Sequence, residues 1–91
     1  MLKAKEGFKL RKVSDQYCIV AVGKASKEFK GVISLNGTGA FMFEKLIQGT
    51  TKEALIKAIL DEYDVSEDVV TKDVENTIKL LKDNHIIEDE W

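Results

Sequence analysis

From residue 35 the chain reads Leu35-Asn36-Gly37-Thr38-Gly39-Ala40-Phe41-Met42-Phe43-Glu44-Lys45-Leu46-Ile47, and this stretch restricts the fold more than any other. Asn36 and Thr38 are both good helix-start residues. Phe41, Met42, Phe43, Leu46 and Ile47 then make a short helix that is apolar round most of its circumference. Such a helix cannot stand in water alone and must be covered from more than one side. It is expected to run over 38–48, with Gly49 as a left-handed stop, and to act as a hub for the segments on either side of it.

The segment before the hub alternates in the manner of strands. Residues 1–7 are charged and small and are expected to be a tail. Phe8-Lys9-Leu10 has the period of a half-buried strand, and the alternation slips at Arg11-Lys12, where the strand is expected to end or bulge. Ser14-Asp15-Gln16 signals a turn. Residues 17–22 (Tyr-Cys-Ile-Val-Ala-Val) are apolar on both faces and rich in β-branched side chains, which suits a central strand. Residues 23–28 are a polar connection, and 29–35 form a third strand. Short links between three strands predict an antiparallel meander.

The segment after the hub has helical spacing. Thr50 and Glu53 match a capping box. Leu55, Ile56, Ile59, Leu60 and Tyr63 then fall on one face. Residues 64–66 break that helix, Ser66 caps the next, and Glu67 and Asp68 suit its positive first turn. This last helix is expected over 67–83, with Val70, Val74, Thr77, Ile78 and Leu81 as its core stripe. Val69 and Leu80 lie on one flank of the stripe, near Asp73, Asn76 and Asn84, so the apolar arc is wider than one packed face requires. Asn84 is expected to terminate the helix in the left-handed region. His85-Ile86-Ile87 reads as a short extended piece and 88–91 as an acidic tail. The order β-β-β-α-α-α predicts an α+β fold that resembles a winged helix-turn-helix. The chain is expected to be one domain over residues 1–91 with those two tails.

The chemistry the residues could carry is limited. The chain holds one cysteine and one histidine, so a Cys/His metal cage or disulfide is not expected, and Cys18 suits a small buried hydrophobe. His85 sits at a helix end, where capping is its usual task. The carboxylates at 61, 62, 64, 67 and 68 read as solvated helix ends rather than an acid–base pair. Gly37 and Gly39 lack the lysine of a phosphate loop and the third glycine of a dinucleotide fingerprint. They suit a close approach of the hub helix to the sheet. No catalytic residue, cofactor or metal is therefore expected. A signal peptide and a span of about 20 apolar residues are also missing, which predicts a cytoplasmic protein without a membrane partner.

A nucleic-acid partner is not expected either. Net charge is −2. The would-be recognition helix has no arginine for guanine and would present Glu67 and Asp68 to the duplex. A peptide partner fits better. An exposed third strand offers free N–H and C=O groups to an added strand, or to a second copy of the chain as a homodimer. The apolar flank of the last helix could form the second wall of a groove, unless Val69 and Leu80 simply complete the core.

Several pieces in fixed order carry a resemblance to a known family. They are the hub stretch through Phe43, Gly49-Thr50-Thr51-Lys52-Glu53, Tyr63-Asp64-Val65-Ser66, and Asp73-Val74 through Leu80-Leu81 to Ile86. Together they resemble the PqqD family, which also supplies the recognition element for leaders of ribosomally made, post-translationally modified peptides. The resemblance covers nearly all of the chain from Phe8 onward. It implies a three-stranded sheet packed on three helices. It also implies a non-catalytic chaperone that binds a precursor's leader peptide as an antiparallel strand and delivers it to a modifying enzyme, often a radical S-adenosylmethionine protein. Carried onto this sequence, the backbone partners are Lys30, Gly31, Val32, Ile33 and Ser34. The helix contacts are Val69, Asp73, Asn76 and Leu80. Gly37 stands where an acidic or polar residue is common in the family, and Phe43 where tryptophan is common. Both changes suit a buried hub and leave open which pathway is served. The rival readings are a winged-helix DNA-binding regulator and a small subunit that only stabilises a larger enzyme.

Overall fold

The computed structural model describes residues 1–28 and 32–89. Its elements run β1 (Leu2–Ala4), β2 (Phe8–Val13), β3 (Gln16–Ala21), α1 (Ala25–Glu28), β4 (Ile33–Leu35), α2 (Gly37–Gln48), α3 (Lys52–Glu62), α4 (Glu67–Asp83) and β5 (Ile87–Asp89). The three-stranded antiparallel sheet has the order β2-β3-β4. Its register pairs Leu10 with Ile19 and Ile19 with Ile33. Phe8, Leu10, Ile19, Ile33 and Leu35 thus share the face that packs on the core. Lys9, Arg11, Cys18 and Ser34 take the other. Cys18 is half-buried there rather than in the core. β2 runs regularly through Arg11 and Lys12 to Val13, so the expected slip does not occur.

The hub helix is α2. Asn36 caps it, its side chain accepting from the Gly39 N–H at 2.7 Å. Gly39 allows a close approach at this spot: a Cβ there would lie 3.2 Å from the Leu35 side chain, tighter than an ordinary contact. Gly37 meets no such neighbour. Met42, Phe43 and Leu46 are buried against both sheet and helices, each contributing about 1.5–3 kcal/mol. Ile47 faces solvent. Gly49 stops the helix at φ 96°, where a non-glycine residue would be strained.

α3 and α4 complete the layer. The α3 cap is Thr51, accepting from the Ala54 N–H at 3.1 Å, one residue later than expected. Thr50 is held instead by two backbone bonds to Leu2, 2.6 and 2.8 Å long. Ser66 caps α4 as expected. At the other end Asn84 stays at negative φ, and His85 takes the left-handed position at φ 58°. The His85 N–H bonds the Lys82 carbonyl at 3.0 Å and the Ile86 N–H bonds the Leu81 carbonyl at 2.9 Å. That pattern is a Schellman motif, closed by apolar contact between positions three before and two after the cap. Leu81 and Ile86 are both fully buried.

The expected tails are instead a two-stranded clasp. β1 pairs antiparallel with β5, Leu2 opposite Asp89 and Ala4 opposite Ile87. Leu2 is only 7% exposed. Burial of Leu2, Ile86 and Ile87 in the core explains why these ends are ordered. Residues 90 and 91 lie outside the described residues. The expected polar connection at 23–28 contains the single turn α1. Among the described residues no helix is long and apolar enough to cross a membrane.

Candidate functional site

β4 is an edge strand. Among the described residues it pairs with β3 on one side and with nothing on the other. Its side chains are largely committed: Ile33 and Leu35 pack on the core cluster and Ser34 is exposed on the opposite face. What the edge offers is therefore backbone. Val32, just before the strand, is 62% exposed. Lys30 and Gly31, expected to extend this edge, lie outside the described residues.

α4 supplies side chains. At about 100° per residue, Val70, Val74 and Leu81 centre its buried stripe. Thr71, Glu75, Ile78 and Lys82 fall on one side of that stripe. This side faces α3, because the Lys52 ammonium reaches the Glu75 carboxylate at 2.9 Å. Val69, Asp73, Asn76 and Leu80 fall on the other side, at spacings of four, three and four residues. All four are exposed, Val69 at 53% and Leu80 at 42%. They do not complete the core.

A small cavity of about 50 Å³ lies between this open flank and the start of α2. Thr38 of α2, Tyr63 and Val65 after α3, and Val69 and Asp73 of α4 wall it, with Ile59 and Val70 beneath. Thr38 lies three residues past the end of β4, so the strand edge ends within about 10 Å of this cavity. Tyr63, expected on the core face of α3, sits instead at its C-terminal cap, exposed, with its ring edge-on to Phe41 at 5.9 Å. Sequence reasoning missed Thr38, Tyr63 and Val65 as cavity residues. The signal available was Val65, an aliphatic residue inside a three-residue break that burial did not require.

Chemically, the arrangement offers a strand template, two aliphatic side chains, an amide and a carboxylate. Among the described residues no three His, Cys, Asp or Glu side chains gather as a metal-binding group. His85 is exposed and committed to the α4 terminus by its backbone.

Comparison with known proteins adds the lineage. Two solved structures share the fold. One, described as TbiB1 in complex with the TbiA(beta) leader peptide, aligns with a TM-score of 0.73 at 18% identity over 98% of each chain. The other, a lasso peptide synthetase B1 complexed with the leader peptide, aligns with a TM-score of 0.72 at 15% identity, over 97% of this chain and 98% of that one. No curated protein matches. A family model described as Coenzyme PQQ synthesis protein D (PqqD) matches residues 18–87, from the central strand to the start of the clasp, and the chain accordingly belongs to the PqqD family.

Proposed function

We propose that this protein is a non-catalytic peptide chaperone of the cytoplasm that captures the leader of a ribosomally made precursor peptide and delivers it to a modifying enzyme. One observation carries the reading. A strand edge unpaired among the described residues ends three residues before Thr38, which shares a cavity with Val69 and Asp73 of a helix flank whose aliphatic residues, Val69 and Leu80, stay about half exposed. In the proposal an extended leader adds antiparallel to the backbone of Lys30, Gly31, Val32, Ile33 and Ser34. Val69, Asp73, Asn76 and Leu80 read its side chains. Backbone pairing supplies general affinity and the helix flank supplies selection. Membership of the PqqD family and the leader-bound states of both similar folds support this reading. In its fuller form the receiving enzyme is a radical S-adenosylmethionine protein.

The test is fluorescence anisotropy with labelled leader segments of short peptides encoded beside the gene, with the protein's mass tracked by light scattering. Saturable binding of one leader supports the proposal. Binding of duplex DNA with steep salt dependence, and of no leader, would instead indicate a regulator. A dimer that dissociates as leader binds would show that a second copy uses the same edge.

A further inference from the structure

The corner where α3 gives way to α4 breaks a local rule. Asp61 and Glu62 occupy the last turn of α3, and no basic residue accompanies them there. That end of a helix already carries partial negative charge, so carboxylates are unfavourable in it. Residues 61–73 hold six carboxylates, at 61, 62, 64, 67, 68 and 73, and one lysine, Lys72. Glu67 and Asp68 have a local reason, since they sit in the positive first turn of α4. Asp61, Glu62, Asp64 and Asp73 have none. All four are exposed, and none is ion-paired with another described residue.

One of these charges lines the cavity between the α4 flank and the start of α2, and two more stand next to its lining residues in the chain. Asp73 lines it, and Glu62 and Asp64 flank the lining residues Tyr63 and Val65 in sequence. Tyr63, Val65 and Val69 present an exposed apolar patch in their midst. The modest net charge of the chain conceals this separation. Residues 1–30 carry eight lysines or arginines and three acids, whereas 31–91 carry six and thirteen.

We infer that this corner is a specificity pocket for a small aliphatic side chain flanked by lysine or arginine. The inference rests on the leader-capture reading. Apolar walls accept the uncharged side chain. The carboxylate rim favours a neighbouring ammonium or guanidinium, which relieves the repulsion among the rim's own charges, and it disfavours an acidic neighbour. Direction comes from the strand. β4 runs toward Thr38, so an antiparallel partner places its N-terminal half at the pocket. Departures from local helix rules of this kind are expected where a surface serves a ligand.

The test is mRNA display of random peptides about twelve residues long, enough for a strand and its flanks, selected on the whole chain at low salt. The expected winners carry lysine or arginine beside a small aliphatic residue in their N-terminal half. Their affinity should fall about five-fold in the Asp64→Asn/Asp73→Asn variant, the sum of two partly exposed charge contacts. It should fall again on adding salt. Replacing the peptide's cation by glutamine should remove the sensitivity to the variant. Thermal melts of the variant, which changes only exposed side chains, check that it folds. Winners with no cation preference, or equal affinity for protein and variant, overturn this inference and leave leader capture standing. Failure to enrich any peptide overturns both.

Discussion

Leu80 and Leu81 are neighbours in the chain with opposite fates, and with them go the two sides of α4. Leu81 is fully buried, whereas Leu80 is 42% exposed. On one side of the helix, Ile78 packs against the core and Glu75 is tied to Lys52 of α3. On the other, Val69, Asp73, Asn76 and Leu80 are exposed, and Val69 and Asp73 share a cavity with Thr38 just past β4. The closed side explains how the fold is held. The open side keeps apolar residues about half in solvent. Scattered exposed aliphatics are ordinary, but a pair aligned along one helix flank, with Val69 at a cavity that reaches Thr38 just past β4, is a surface with a geometry.

The difference can be broken or sharpened by substitution. The largest expected effect is Leu81→Ala, which should lose about 2–5 kcal/mol of unfolding free energy in urea melts through the cavity it leaves. Leu80→Ala should stay within about 0.5 kcal/mol. Equal losses at the two sites would abolish the distinction between the sides. Next is Leu80→Asp, which should keep the helical circular dichroism signal and the melting midpoint while weakening peptide capture about tenfold, or about 1.4 kcal/mol. Unfolding instead would return Leu80 to the core. His85→Gly should raise stability by about 1 kcal/mol, because the left-handed position then carries no Cβ strain. An unchanged melt would mean that the Schellman turn adapts to histidine at no cost. The smallest effect is the Lys52–Glu75 pair. Both side chains are substantially exposed, so a double-mutant cycle should give under about 1 kcal/mol of coupling, shrinking with salt. A larger, salt-insensitive value would show the closed side to be drier than its exposure indicates.

The sequence spoke most clearly where many residues agree. α4 was legible to its bounds because a capping serine, an acidic first turn and a sustained stripe of Val70, Val74 and Leu81 all point the same way. The hub helix was legible for the same reason, with Asn36 and Gly49 as its punctuation. The flank of Val69 and Leu80 could be named from the helical period, but its exposure could not, since the period gives a direction and not a neighbour. β1 and β5 were illegible as partners. Three residues each give too little alternation to detect, and their pairing joins residues more than eighty positions apart. The shift of the α3 cap from Thr50 to Thr51 has the same origin. Both threonines can cap, and the backbone bonds between Thr50 and Leu2 decide between them. His85 replaces Asn84 as the left-handed residue because that turn lets Ile86 reach the core.

The most direct test of the account is an amide NMR titration of the protein with a leader segment that it binds. The account predicts shifts on residues 33–35 and on Val69, Asp73, Asn76 and Leu80, with Thr71, Glu75 and Ile78 unmoved. Shifts confined to the α3-facing side of α4, with residues 33–35 silent, would contradict it.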